Sequence, residues 1–160
     1  MYFPIHHTVI LSVYFIDLLT MAGQKLLKRA DFHLGQKITR LTRISKESGA
    51  FNIYSSSHGS VGCLTSLSEK SYRRLNMLYQ KMVHLLPQNG GLNPKAFRQQ
   101  SSEEHRKLGT NARSILDHNF LMQFTFHSKV HQRELSKAIG SSLEKIYEDL
   151  MEIEKATAFK

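Results

Sequence analysis

The hydrophobic pattern changes period at Ser68, and that change constrains the fold more than any other feature. Ahead of it the chain has strand character. Leu26–Leu34 predicts a strand ending at Gly35. Phe51-Asn52-Ile53-Tyr54 and Val61-Gly62-Cys63-Leu64 flank Ser55–Ser60, where Gly59 tolerates positive φ, so the two runs predict a hairpin. Lys46 to Ala50 is expected to be a loop. Behind the switch, Ser68 suits an N-cap and Glu69 places a carboxylate in the first turn, where the helix dipole favours it. Tyr72, Leu75, Tyr79, Met82 and Leu86 recur at spacings of three and four, giving a helix with one apolar face. Arg73, Arg74 and Lys81 fall largely outside that stripe, and Pro87 with Gly90-Gly91 stops the helix. Strands followed by helices make the expected class α+β.

Further helices follow from their terminal signals. Asn93-Pro94 is a start, with Asn at the N-cap and Pro at the first helical position. Ser101 and Glu104 fit a capping box, and Gly109-Thr110 is a point of interruption. Ile115, Leu116, Phe120, Leu121 and Phe124 continue a helical pattern. A helix from Ser128 to Ile139 stops at Gly140, and Ser141 with Glu144 is expected to cap the last one. Its stripe is Leu143, Ile146, Leu150, Ile153 and Thr157, too short for a coiled coil and suited to docking on neighbouring helices.

The net charge of +9 over 160 residues favours an acidic partner such as nucleic acid, anionic lipid or an acidic protein face. That charge is concentrated. From Gly23 to Lys46 the basic residues are Lys25, Lys28, Arg29, Lys37, Arg40, Arg43 and Lys46, against Asp31 alone. The tail is acidic, with Glu144, Glu148, Asp149, Glu152 and Glu154, and is expected to be a solvated helix face. The favoured reading of the basic run is nonetheless a solvated strand face. Val9–Ile16 is apolar, but no Lys or Arg precedes it and Asp17 follows at once. It is also shorter than the roughly 20 apolar residues of a membrane span, so either a buried strand or sequence foreign to the folded domain is expected there, and no membrane anchor. Cys63 stands alone, which excludes an internal disulfide and suits a reducing compartment.

No constellation of residues points to catalysis. His127 and His131 are four apart, but Ser128 follows the first where a metalloprotease helix needs Glu, and no third ligand is evident. No group adjacent to Cys63 activates its thiol, and its strand suggests burial as a small hydrophobe. Gly59-Ser-Val-Gly62 lacks the Lys-Ser/Thr of a phosphate-binding loop. The helix–Gly-Ser-Ser–helix around Gly140 has the outline of a DNA-reading motif. Glu144, Glu148, Asp149 and Glu152 on its second helix would meet phosphate with the wrong charge, so a plain helical corner is expected. Neither a cofactor nor a small-molecule substrate is expected. Basic residues near aromatics, Lys28 and Arg29 by Phe32, and Arg73 and Arg74 by Tyr72, leave single-stranded RNA as an alternative partner, although Phe32 and Tyr72 fit core positions better.

From Gly23 onward the chain resembles the C-terminal region of the largest subunit of the cleavage and polyadenylation specificity factor. The first matching blocks are Gly23-Gln-Lys-Leu-Leu-Lys-Arg-Ala-Asp-Phe-His-Leu-Gly35, Gly59-Ser-Val-Gly-Cys-Leu64, Glu69-Lys-Ser-Tyr-Arg-Arg-Leu75 and Leu86-Pro87. They continue, in order, with Gly91-Leu-Asn-Pro-Lys-Ala-Phe-Arg98, Arg133-Glu-Leu-Ser-Lys-Ala-Ile-Gly140, Tyr147-Glu-Asp-Leu-Met-Glu-Ile-Glu154 and Ala156-Thr-Ala158. His118 is a departure, since relatives usually have Gly after the Leu-Asp pair.

The resemblance implies a fold and a function. Residues 23–67 would be the last antiparallel strands of a β-propeller, as a partial blade, and 68–160 a C-terminal helical domain, with 1–22 poorly matched. Members of this family are far longer, so the chain is expected to be a fragment or a short paralogue. The implied function is a non-catalytic nuclear scaffold in pre-mRNA 3′-end processing. Its partners would be a WD-repeat subunit and a zinc-finger subunit that read the polyadenylation signal, with pre-mRNA held indirectly. The candidate nucleic-acid or partner contacts are Lys25, Lys28, Arg29, Lys37, Arg40, Arg43, Arg73 and Arg74.

Overall fold

The computed structural model describes residues 10–16, 26–46, 49–85 and 115–157. The expected signals at 86–114, among them Asn93-Pro94, Ser101 with Glu104 and Gly109-Thr110, lie outside the described residues. Two compact units are present. The first contains a hairpin of β1 (Ile10–Ile16) and β2 (Leu26–His33), paired antiparallel from Ile10↔His33 to Ile16↔Leu26. The register shifts between Val13, opposite Ala30, and Tyr14, opposite Lys28. Arg29 is the unpaired extra residue, as in a β-bulge.

Among the described residues, the second unit, residues 39–87 and 116–160, joins a three-stranded antiparallel sheet to four α-helices. The strands are β3 (Ile38–Lys46), β4 (Gly49–Ser56) and β5 (Val61–Thr65), in spatial order β3-β4-β5. The β4–β5 hairpin runs from Phe51↔Thr65 to Ser55↔Val61, as the sequence pattern predicts. Its turn is closed by the Gly59 N–H donating to the Ser56 carbonyl at 3.1 Å, with Gly59 at φ 80°. Lys46 ends β3 and Ala50 lies within β4, so the expected loop over 46–50 is shorter than the sequence pattern suggests.

Opposite Gly62 in this ladder stands Tyr54. The phenol ring covers the glycine so closely that a Cβ there would overlap the Tyr54 ring carbons. A side chain at Gly62 would therefore force the Tyr54 ring to move.

The helix α1 (Glu69–Leu85) begins where the period changes. The Ser71 N–H donates to Ser68 Oγ at 3.2 Å, and the Tyr72 N–H to the Ser68 carbonyl at 2.9 Å. Its buried face is Ser71, Leu75, Leu78, Tyr79, Met82 and Val83. Leu78 and Val83 widen the predicted stripe, and Tyr72 at its margin is half-buried.

Next comes α2 (His118–Met122), continued by a 3-10 turn over Gln123–Phe126. Ile115 and Leu116 lie outside the helix, contrary to the expected continuous pattern. Asp117, extended at φ −82° and ψ 106°, takes the N-cap, its carboxylate accepting the Phe120 N–H at 3.3 Å. Two further helices follow, α3 (Lys129–Ala138) and α4 (Leu143–Thr157).

Between them, Gly140 at φ 65° donates to the Lys137 carbonyl, and the Ser141 N–H to the Ser136 carbonyl at 3.0 Å, the two bonds of a Schellman end. Ser141 thus completes α3. The cap of α4 is Ser142, whose Oγ accepts the Lys145 N–H at 3.3 Å, which corrects the predicted Ser141–Glu144 box by one residue.

One core unites the four helices: Leu75, Leu78, Met82, Leu121, Phe124, Ile146 and Leu150 are fully buried within it. Tyr79 and Phe120 pack with ring centroids 4.8 Å apart. Burying a Leu, Ile, Met or Phe side chain stabilises by about 1.5–3 kcal/mol each, so these side chains supply the main force holding α1 to α2–α4. The inner end of the sheet packs on α4 through β4 and β5.

Candidate interaction surface

The structure places the eight candidate residues in different settings. Lys25 lies outside the described residues. Lys28, paired opposite Tyr14, and Arg29, at the bulge, are on β2 in the first unit. Lys37, Arg40 and Arg43 are exposed. Arg40 and Arg43 sit on β3, where the two-residue period sends them to opposite faces. Neither pairs with a carboxylate among the described residues. β3 therefore has the solvated, basic character expected of it.

The two α1 arginines are engaged within the protein. Arg73 Nε lies 2.9 Å from Glu69 Oε1, one turn back on the exposed side. The Arg74 guanidinium bonds directly to the Asp149 carboxylate of α4. Asp149 is only 3% exposed and Arg74 20%, so this is a sheltered ion pair bridging two helices. Burial of Asp149 departs from the expected solvated acidic face. Helical geometry places it one residue before Leu150 and three after Ile146, at the edge of the apolar stripe, and the cation of α1 allows it to enter.

The rest of the acidic face is exposed. Lys145 Nζ and Glu148 Oε2 are 2.6 Å apart. That hydrogen bond, reinforced by charge attraction, holds the Glu148 carboxyl below its ordinary range and the Lys145 ammonium above its own.

Gln132, which the sequence pattern did not single out, is fully buried on α3. Its Nε2 donates toward the carbonyls of Phe124, Thr125 and His127 at 3.1, 3.1 and 2.9 Å. Its Oε1 accepts from Tyr147 Oη at 2.9 Å and from Lys129 Nζ at 3.2 Å. The amide thereby satisfies the carbonyls left free at the end of the 3-10 turn and ties α3 to α4. Its role is architectural.

The remaining polar candidates show no convergence. His127 and His131 have ring centroids 6.3 Å apart, and His131 Nδ1 lies 3.1 Å from Ser128 Oγ. No group of three or more His, Cys, Asp or Glu that could hold a metal occurs among the described residues. Cys63 forms no disulfide and is half-buried, less enclosed than expected.

His118 begins α2 with both ring nitrogens buried and without a hydrogen-bond partner. Nε2 lies 3.7 Å from Glu154 Oε1. A cleft of about 110 Å³ between the sheet and α4 is lined by Ala50, Phe51, Thr65, Ser66, Leu67, Glu152, Ile153 and Ala156. No helix among the described residues is long and apolar enough to cross a membrane.

An α+β class follows from the strands and helices, with polar side chains engaged in caps, ion pairs and one buried amide, and with a basic strand left exposed. Residues 9–125 match the family model described as the CPSF A subunit region. The chain belongs to the CPSF A subunit family. It is 37% identical over 145 residues to cleavage and polyadenylation specificity factor subunit 1 of Arabidopsis thaliana, covering 86% of this chain and 10% of that protein. Against the protein of the same name from Drosophila melanogaster the identity is 33%, over 85% of this chain and 10% of the relative. Against Protein cft1 of Schizosaccharomyces pombe it is 30%, over 86% and 10%. The chain spans about a tenth of the length of these curated relatives. The family match begins at residue 9 and so takes in β1, ahead of the Gly23 start of the quoted blocks.

Proposed function

We propose that this chain is a non-catalytic scaffold segment of the nuclear machinery that cleaves and polyadenylates pre-mRNA. The observation that carries this reading is the collinear similarity to subunit 1 of the cleavage and polyadenylation specificity factor across most of the chain. In this reading residues 23–67 are the closing strands of a β-propeller and 68–160 are the helical domain that follows it. The partners are the WD-repeat and zinc-finger subunits that recognise the polyadenylation signal, and pre-mRNA is held through them. Lys25, Lys28, Arg29, Lys37, Arg40 and Arg43 are the partner contacts. Arg73, on the exposed side of α1, joins them, whereas Arg74 acts within the domain through its pair with the sheltered Asp149. Immunoprecipitation of the tagged chain from nuclear extract tests this: 3′-processing subunits are expected in the eluate, and their complete absence would overturn it.

A second reading, direct contact with RNA, is favoured by the exposure of Arg40 and Arg43. It requires affinity to fall steeply with salt, with a logarithmic slope of about −0.7 for each phosphate neutralised on a single strand. A flat salt dependence would remove it.

A further inference from the structure

We propose that the outer edge of β3 is a docking site for an extended acidic segment of a partner protein, which adds to the sheet as a fourth strand. The inference deepens the scaffold reading and rests on it for its biological setting.

Among the described residues β3 lies at one end of the strand order and pairs with β4 alone. An edge strand presents a row of free N–H and C=O groups, which is how sheets capture extended peptides. The five consecutive residues Thr39, Arg40, Leu41, Thr42 and Arg43 are all exposed. Both faces of the edge are thus open, and Leu41, 54% exposed, offers an apolar contact beside the cations. The inner side is fixed: Thr39 Oγ1 donates to the Ser55 carbonyl at 3.1 Å, tying β3 to β4. An incoming strand therefore meets an ordered template.

Charge selects the occupant. No Asp or Glu occurs from Phe32 to Lys46, while Arg40 and Arg43 project from opposite faces. A second copy of β3 would bring arginines toward arginines, the like-charge arrangement that opposes strand pairing. A strand carrying Asp or Glu on both faces reverses the sign of that interaction. Nucleic acid would also satisfy the cations. However, single strands are held by aromatic stacking as well as charge, and no aromatic residue occurs between Lys37 and Lys46. Backbone edge, exposed Leu and flanking arginines together fit a peptide better.

Fluorescence anisotropy on the full 160-residue chain tests this with labelled probes: a peptide alternating Val and Glu, the same peptide with Pro in place of Val, one alternating Val and Lys, and oligouridylate RNA. Saturable binding of the Val-Glu peptide is expected, with binding of the Pro version weaker by about tenfold or more, because Pro cannot donate to the edge. The R40E/R43E double variant is expected to lose the Val-Glu peptide by a similar factor and to gain the Val-Lys peptide. That gain is a result that misfolding cannot produce. Equal binding of the Val-Glu and Pro peptides, tighter binding of RNA than of the Val-Glu peptide, or no binding of the Val-Glu peptide would each overturn the proposal. A failed peptide assay beside intact recovery of processing subunits rejects the β3 site alone, and the converse rejects the scaffold reading alone.

Discussion

Arg74 on α1 and Asp149 on α4 form an ion pair between helices although they lie 75 residues apart in sequence, with the carboxylate almost wholly enclosed. Its two ends are unequal. Removing Arg74 strands a buried negative charge, whereas removing Asp149 leaves a guanidinium that is partly in water. The expected cost of Arg74→Met is about 3–5 kcal/mol, and that of Asp149→Ala is smaller. Denaturant titration of both single variants and the double variant measures the difference. The double variant is expected to be more stable than additivity predicts.

Gln132 offers a second test of the helical core. Gln132→Leu keeps the approximate volume but leaves the carbonyls of Phe124, Thr125 and His127 without the amide donor. A loss of about 1–3 kcal/mol is expected. The amide protons of α3 and of the Lys129–Tyr147 contact region should exchange faster. Unchanged exchange would place the restraint elsewhere.

In the β4–β5 hairpin the Tyr54 ring occupies the space that a side chain at Gly62 would need. Gly62→Val is expected to destabilise it by about 1–3 kcal/mol through overlap with Tyr54. Tyr54→Ala alone should cost stability by uncovering the strand. The pair Gly62→Val/Tyr54→Ala should recover part of the loss, because the clash and its cause are then both removed. Thermal melts of the three variants resolve this coupling.

The Lys145–Glu148 pair gives a prediction in pH. Glu148 is lowered, so its contribution is complete above the unfolded carboxylate value and is lost as pH falls through the folded one. Lys145 is raised, so its share is complete below the unfolded ammonium value and is lost as pH rises through the folded one. NMR titration should find the Glu148 midpoint below that of an ordinary glutamate. Lys145→Met should return it to the usual range. The pair is solvent-exposed, so the effect belongs to the titration curve more than to overall stability.

Much of this architecture is legible from local signals. Ser68 with Glu69, Ser128, Gly140 and the Gly59 hairpin each act within a turn or two of themselves, and each appears where expected. Features decided by distant neighbours are not legible in this way. Asp149 reads as one more charge on an acidic helix until Arg74 is brought to it by packing. Gln132 reads as surface until the carbonyls of the 3-10 turn close over it. The cap of α4 shifts from Ser141 to Ser142 because the preceding helix end has already taken the Ser141 N–H. Charge is likewise visible in sequence, but only packing shows that Arg74 is engaged by Asp149 while Arg40 and Arg43 are exposed on β3.

The most direct measurement of the central claim is size-exclusion chromatography of the purified chain with the purified WD-repeat subunit of the polyadenylation complex, with and without the zinc-finger subunit. Co-elution as a stable complex at physiological salt, without RNA, is the predicted result. Separate elution under every combination, with the chain folded, would contradict a scaffold role.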